Sequence, residues 1–233
     1  MKRSDLYLCA GILLFFGMFF VSDSLYQWYV AFNRAHGMCT TFVKFALLAT
    51  LGEVLALRIR TGQYALRHFG LLPKAIVWGV LGLTVKLAFV VFATGVPAFL
   101  EYMGLHGAAA SLHGPIGPQT IAVAFAVSAV MNLFYAPLMM LTHRITDIHI
   151  GMHQGSIRAL VSRIPVSQIL GQQVNWQLQW RFVFCRTIFL FWIPAHTISF
   201  LLPPDYQTLF AAVLSVLLGL LLAFASSDKP AKS

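Results

Sequence analysis

Charged side chains are scarce in this sequence of 233 residues: they make up 10% of it, whereas an ordinary soluble domain carries roughly a quarter. Apolar residues make up 59%, and this composition excludes a soluble globular protein. Acidic residues are the scarcer kind, because 7 Asp and Glu stand against 16 Lys and Arg, for a formal net charge of +9. No dense basic stripe accompanies this excess, so we expect an oriented membrane protein with no nucleic-acid partner.

Paired cysteine motifs are also missing. Cys9, Cys39 and Cys185 are odd in number and widely spaced, which excludes a disulfide framework and a CxxC metal site. The phosphate-binding GxxxxGK[ST], the zinc-binding HExxH and the nucleophile elbow GxSxG do not occur. The sequence therefore predicts neither an enzyme nor a bound cofactor or metal.

Long apolar runs are what the sequence does contain. A helix needs about 20 apolar residues to cross about 30 Å of hydrocarbon, and six segments approach that length. We predict an all-α, polytopic transmembrane helical bundle, one integral membrane domain over 1–233, with both termini on the cytoplasmic side. The first two spans are short, so an interfacial or re-entrant segment is an alternative for one of them. The predicted spans are 6–22, 41–57, 75–100, 120–142, 180–202 and 206–226.

The basic residues between these spans support the orientation, since cytoplasmic loops collect Lys and Arg. Arg34 is the only basic residue assigned to the outer side, whereas eleven fall on the cytoplasmic side, in the termini and in the connectors 59–74 and 143–179. The eleven are Lys2, Arg3, Arg58, Arg60, Arg67, Lys74, Arg144, Arg158, Arg163, Lys229 and Lys232.

The longest polar stretch is 143–179, which we interpret as an amphipathic cytoplasmic connector lying on the bilayer. Within 156–170, apolar residues recur at partly helical spacing beside Arg158 and Arg163, as in segments that bind lipid surfaces. The tail 227–233 is predicted to be disordered. The apolar residues of the connector are Ile157, Leu160, Val161, Ile164 and Ile169.

Four ionisable residues follow the fourth span: His143, Asp147, His149 and His153. Residues four apart share a helix face, but the pair that begins at His143 and the pair that begins at His149 point about 160° apart. One helix therefore does not bring all four onto one metal ion. A solvated juxtamembrane helix is the preferred interpretation, and a two-histidine metal site completed from elsewhere is the alternative.

Polar residues inside the spans are the predicted site, because a charge near the bilayer centre costs several kcal/mol and usually faces a partner or water. They form either a solute pathway or a polar network that locks the helices, and the sequence leaves both open. Lys44, near the outer end of its span, is expected to extend its side chain to the interface. The five site residues are Glu53, Lys86, Asn132, Arg186 and His196.

The depth of each site residue follows from its distance along its helix. Lys86 lies about 16 Å from the cytoplasmic end of its span at 1.5 Å per residue, and Asn132 and His196 reach a similar midplane layer. Glu53 and Arg186 both lie about 8–9 Å below the cytoplasmic surface on the same scale. Equal depth and opposite charge predict that Glu53 and Arg186 form an ion pair.

Several short motifs, in their order, resemble the Mpv/PMP family of small integral membrane proteins. The family pattern W-P-x-x-Q-x-x-N-F is similar to Trp192–Phe200, followed by Pro204 and Tyr206, although His196 stands for the family Gln and Ser199 for Asn. Weaker matches are Gly52-Glu53, with Glu for the family Asp, then Gly95, Pro97 and Tyr102, and finally Tyr135-Ala136-Pro137. The resemblance covers about residues 40–226.

This resemblance implies a small helical membrane protein of a mitochondrial inner, peroxisomal or bacterial inner membrane that forms a channel or helps to move small metabolites. Our leading hypothesis is a channel or carrier path for a small, unidentified solute, and it rests on the midplane polar layer and on the prolines inside or near the ends of spans, Pro97, Pro137 and Pro194, which can kink their helices. The alternative is a scaffold or assembly partner that transports nothing. The lipid bilayer is the one partner that the composition indicates, and the sequence is compatible with a homo-oligomer.

Overall fold

The computed structural model describes residues 3–64, 66 and 68–227, and these residues contain helices and no strands, which confirms the all-α prediction. Short helical turns at Ile157–Leu160, Val166–Gln168 and Ile169–Gln173 lie between the sixth and seventh helices. We label the helices α1 Arg3–Val21, α2 Asp23–Ala35, α3 Gly37–Thr61, α4 Leu71–Tyr102, α5 Ala108–Ser111, α6 Pro118–Met152, α7 Trp176–Leu201 and α8 Pro204–Ser227.

Four helical segments are long and apolar enough to cross a membrane: Leu71–Tyr102, Pro118–Met152, Trp176–Leu201 and Pro204–Leu221. They correspond to the last four predicted spans. A fifth crossing results if α1 and α2, bent by 85° at a short break, form one broken span rather than a re-entrant loop. The predicted second span is helical within α3, which is not one of the four. The structure thus has four or five candidate membrane-spanning helices, and the sixth span and the side of each terminus stay predictions.

The chain divides into two compact units, Met1–Thr40 and Thr41–Ser233. In the first unit, Ser22 separates α1 from α2, and its Oγ accepts a hydrogen bond from the backbone N–H of Leu25 at 3.3 Å. Ser22 is therefore the N-cap of α2. It accepts a hydrogen bond from one of the first backbone N–H groups of the helix, which have no acceptor within the helix. The single membrane domain over 1–233 stays a prediction.

The second unit is built around an apolar core to which six helices contribute. Its buried side chains include Phe45 of α3, Phe89 of α4, Ala108 of α5, Met131 of α6, Phe200 of α7 and Ala212 of α8. Burying one large side chain such as Phe or Met stabilises a fold by about 1.5–3 kcal/mol in water, and in lipid the same side chains act through close packing. Phe45, Phe89 and Met131 of this core also line the cavity described below.

The connector differs from its prediction. Helix α6 continues past residue 142 to Met152, so the first part of 143–179 extends a membrane helix. The stretch 156–170 is not one amphipathic helix, because Pro165 lacks the N–H that a continuing helix needs and separates the turn Ile157–Leu160 from Val166–Gln168. Ser227 is the last residue of α8, and the remainder of the predicted tail, 228–233, lies outside the described residues.

Candidate functional site

Glu53 of α3 is the centre of a polar cluster. Its Oε2 lies 2.7 Å from the Nζ of Lys74, and its Oε1 accepts a hydrogen bond of 2.6 Å from the Nε1 of Trp78. The same Oε1 lies 3.1 Å from the Nε2 of His143, and Lys74 also contacts the carboxylate of Asp147. We call these five residues the ionic cluster.

Helical spacing explains how three helices build the ionic cluster. Lys74 and Trp78 are four residues apart on α4, and His143 and Asp147 are four apart on α6, so each pair shares one helix face. The rings of Trp78 and His143 lie 4.2 Å apart between their centroids. One turn of α4 thus faces one turn of α6, and Glu53 approaches both from α3.

Two glycines hold these turns together. Gly70 precedes α4 and Gly155 follows α6, and both have a φ of +73°, which L residues with a side chain rarely adopt. A Cβ on Gly155 would lie 2.6 Å from the backbone N of Gly70. This backbone contact brings the first turn of α4, with Lys74, against the last turns of α6, with Asp147.

The carboxylates of the ionic cluster face positive side chains. Lys74 lies between Glu53 and Asp147, and Arg144, which neighbours the cluster, lies 3.7 Å from Asp147. Lys74 and Arg144 thus supply one positive side chain for each carboxylate. The side chains of Lys74, Glu53 and Asp147 are 11%, 21% and 28% exposed. Charges this poorly solvated need a partner, because desolvation without one costs several kcal/mol.

The predicted pair between Glu53 and Arg186 is wrong. Arg186 is exposed on α7, and the partners of Glu53 are Lys74, Trp78 and His143. Depth along a helix gives the height of a side chain and not the direction in which it points, and α7 is π-helical over Gln179–Trp192, which changes the rotation per residue. Equal height therefore does not bring the two charges together.

Asn132 of α6 and His196 of α7 form the second polar feature, which we call the central pair. The side-chain amide of Asn132 lies within 3.2 Å of the Nδ1 of His196, and its nitrogen donates a hydrogen bond of 2.9 Å to the backbone oxygen of Ser128. Asn132 is fully buried, and the ring of His196 stacks on Trp192 at 5.1 Å. The structure thus brings together two of the three residues predicted for the midplane layer.

A cavity of about 20 Å³ adjoins the central pair, enough for about one water molecule. The Nε1 of Trp192, which lines it, is buried and has no hydrogen-bond partner within the described part of the chain. Trp78 lines the cavity too, so its indole borders both the cavity and the ionic cluster. The other lining residues used below are Tyr135, Ser215 and the central pair.

Lys86, the third residue of the predicted layer, does not line this cavity. Its charge acts on Lys44 of α3, which also interacts electrostatically with Asp205 of α8. Lys44 is 8% exposed, so the expectation that its side chain extends to the interface is wrong. In this second set of charges, Lys44 attracts Asp205 and so links α3 to α8, whereas the like charge of Lys86 on α4 repels Lys44.

The histidines near the end of α6 follow the predicted faces. His149 is buried, with its Nε2 3.1 Å from the backbone oxygen of Ala159, and its ring lies 4.4 Å from that of His153. His143, on the other face, contacts Glu53. Across 3–64, 66 and 68–227, no group of three or more His, Cys, Asp or Glu side chains is placed to hold a metal ion.

The sequence prediction missed Lys74, Trp78, His143 and Asp147 as site residues. It assigned Lys74, His143 and Asp147 to connectors. The sequence signal that could have found them is the spacing of four residues between Lys74 and Trp78 and between His143 and Asp147, which places each pair on one helix face. No protein-family model, no curated protein and no solved structure matches this chain.

Proposed function

We propose that this chain is a six-span integral membrane protein of the Mpv/PMP type that provides a path for a small solute. The termini lie on the cytoplasmic side of a bacterial inner membrane or the equivalent side of an organellar membrane. The observation that carries the proposal is the position of Trp78, whose indole borders the cavity on one side and the ionic cluster on the other.

The extent of these connected features supports a path. From Lys74 in the ionic cluster to Phe89 beside the cavity, α4 rises about 22 Å at 1.5 Å per residue, most of the roughly 30 Å of hydrocarbon. A polar solute at that depth needs hydrogen-bonding groups in place of water. The central pair supplies such groups in the middle, and the ionic cluster lies at the cytoplasmic end.

In this proposal the observed conformation is closed. The cavity has room for about one water molecule, and the hydrogen bond to Glu53 at 2.6 Å holds the Trp78 indole in place. A larger solute passes only when this side chain moves. Trp78 is therefore the proposed gate, and Glu53 is the residue that positions it.

Flux through reconstituted protein tests the proposal. Liposomes that contain the wild type, Trp78→Ala or Trp78→Phe are loaded with a broad panel of small solutes, and efflux is compared with that of protein-free liposomes. We expect measurable wild-type flux and a clear increase in Trp78→Ala. Trp78→Phe keeps an aromatic ring but loses the N–H that donates to Glu53, so its flux should lie between those of the wild type and Trp78→Ala. If none of the three folded proteins passes any solute, the path does not exist.

The alternative, a scaffold that transports nothing, is favoured by one observation. The Oγ of Ser128 donates a hydrogen bond of 2.7 Å to the backbone oxygen of Ile193, so this contact and the central pair together tie α6 to α7. The double variant Lys86→Leu with His196→Leu separates the two functions. Lost flux in a folded, normally expressed protein favours transport, whereas a retained cellular phenotype favours the scaffold.

A further inference from the structure

The polar groups that line the cavity are all uncharged. They belong to Asn132, His196, Tyr135, Ser215, Trp78 and Trp192. Every one of these residues except Trp192 uses a polar atom in a hydrogen bond within the protein, so the cavity surface itself is almost entirely apolar. Among the described residues that line the cavity there is no Asp, Glu, Lys or Arg. The remaining wall is made of apolar side chains such as Phe45 and Phe89.

One of these groups is a donor in need of an acceptor. The Nε1 of Trp192 is buried and has no hydrogen-bond partner among the described residues, and a buried donor left in this state is unfavourable. Trp192 also stacks on His196, one half of the central pair. A molecule with an acceptor oxygen in the cavity would satisfy the indole beside the polar atoms of that pair.

The charged groups near the cavity do not line it. Glu53 and Asp147 face Lys74 and Arg144, and Lys44 is attracted by Asp205 and repelled by Lys86, all outside the cavity lining. An inorganic ion in the cavity would have lost its water and met aromatic and neutral groups alone, which is far costlier than burying a neutral polar molecule.

From these observations we infer that the solute is a small uncharged molecule that hydrogen-bonds through hydroxyl or amide groups, and that inorganic ions are excluded. The inference rests on the proposed path and names the class of molecule that the path accepts. Urea and glycerol are suitable probes, because both are small and neutral and carry acceptor oxygens.

Paired flux measurements on one preparation test the inference. Trp78→Ala is reconstituted, urea and glycerol entry are followed by stopped-flow light scattering, and K⁺ and Cl⁻ fluxes are followed with ion-sensitive dyes. We expect urea and glycerol to enter faster than in protein-free liposomes and both ions to cross at the protein-free rate. Ion flux that rises with urea flux overturns the inference and leaves the path intact. If nothing crosses, the proposed function fails instead.

A conservative variant tests the donor. Trp192→Phe replaces the indole by a phenyl ring and so removes the Nε1–H. We expect urea flux to fall about fivefold, because that factor corresponds to the loss of one neutral hydrogen bond. The matched control is Trp180→Phe, the same change on the same helix at a side chain that is 62% exposed. Its flux should equal that of the parent protein, and thermal unfolding confirms that both variants fold. Equal urea flux in the two variants contradicts the role of Trp192.

Discussion

The ionic cluster and the central pair solve the same problem, a polar group among membrane helices, in opposite ways. The cluster keeps full charges, in side chains that are still partly exposed, and matches two carboxylates with Lys74 and Arg144. The central pair is almost fully buried and uses an amide and an imidazole instead. The difference follows burial: charged groups that lose their water need charged partners, whereas neutral groups cost much less to bury.

The ionic cluster and the central pair also have different roles in the proposed path. In the proposed path, the ionic cluster is the part that opens as its ion pairs separate, and the neutral groups beside the cavity are the part that selects the solute. Trp78 touches both regions, because its Nε1 binds Glu53 and its ring borders the cavity. The predictions below change one region at a time.

Removing Lys74 should have the largest effect. Lys74→Met leaves Glu53 and Asp147 without their shared counter-ion, and loss of one partner from a buried pair typically costs about 3–5 kcal/mol. Thermal unfolding in detergent measures the loss. Arg144→Met is the control, because this exposed side chain lies 3.7 Å from Asp147 and should contribute less than about 1 kcal/mol. Equal losses in the two variants would show that Lys74 is not a buried partner.

A change in the central pair should cost less and respond differently to salt. Asn132→Leu leaves the Nδ1 of His196 without its partner, a loss of about 1–3 kcal/mol. Because both groups are neutral, added salt should not alter this loss, whereas salt screens the partly exposed ionic cluster. The double variant with His196→Leu should recover part of the stability. Strictly additive losses would mean that the two side chains do not interact.

The glycine contact should have an effect of similar size, and this effect bears on the ionic cluster alone. Gly155→Ala puts a side chain on a backbone with a φ of +73° and against Gly70, at a cost of about 1–3 kcal/mol. Gly151→Ala is the matched control, since a Cβ there meets nothing within 4 Å, and alanine favours a helix by up to about 1 kcal/mol. Thermal unfolding of the two variants measures the difference, and only Gly155→Ala should be less stable than the wild type. Similar curves would contradict the role of Gly155.

The smallest effect is expected in the connector, outside both regions. Val161 is 88% exposed beside exposed Arg158 and Arg163, so apolar contact and attraction to anionic lipid should hold this surface at the bilayer. A spin label at Leu160 should be restricted in anionic vesicles and less so in neutral ones. Free aqueous motion in anionic vesicles would contradict surface binding.

Composition and periodicity were enough to predict the helices, because a long apolar run has no stable alternative to a helix in a membrane. They also selected Glu53, Asn132 and His196 as buried polar residues, and the structure joins the last two. The partner of Glu53 could not be predicted, since depth says nothing of helix rotation.

The ends of the helices limited the prediction as well. Lys74 lies in the first turns of α4, and Asp147 lies in the part of α6 beyond residue 142. Both were assigned to connectors because polar residues end an apolar run, although polar residues do not by themselves end a helix. Here the two residues are each other's partners.

Accessibility of Ser215 tests the central claim, that movement of Trp78 opens the cavity to a neutral solute. In a protein with Cys9, Cys39 and Cys185 replaced by serine, Ser215→Cys places a thiol in the cavity wall. A small neutral methanethiosulfonate should label this thiol faster in Trp78→Ala than in Trp78→Phe, and a charged methanethiosulfonate should label neither. Equal labelling by the neutral reagent in both variants would contradict the gate, and fast labelling by the charged reagent would contradict the selectivity.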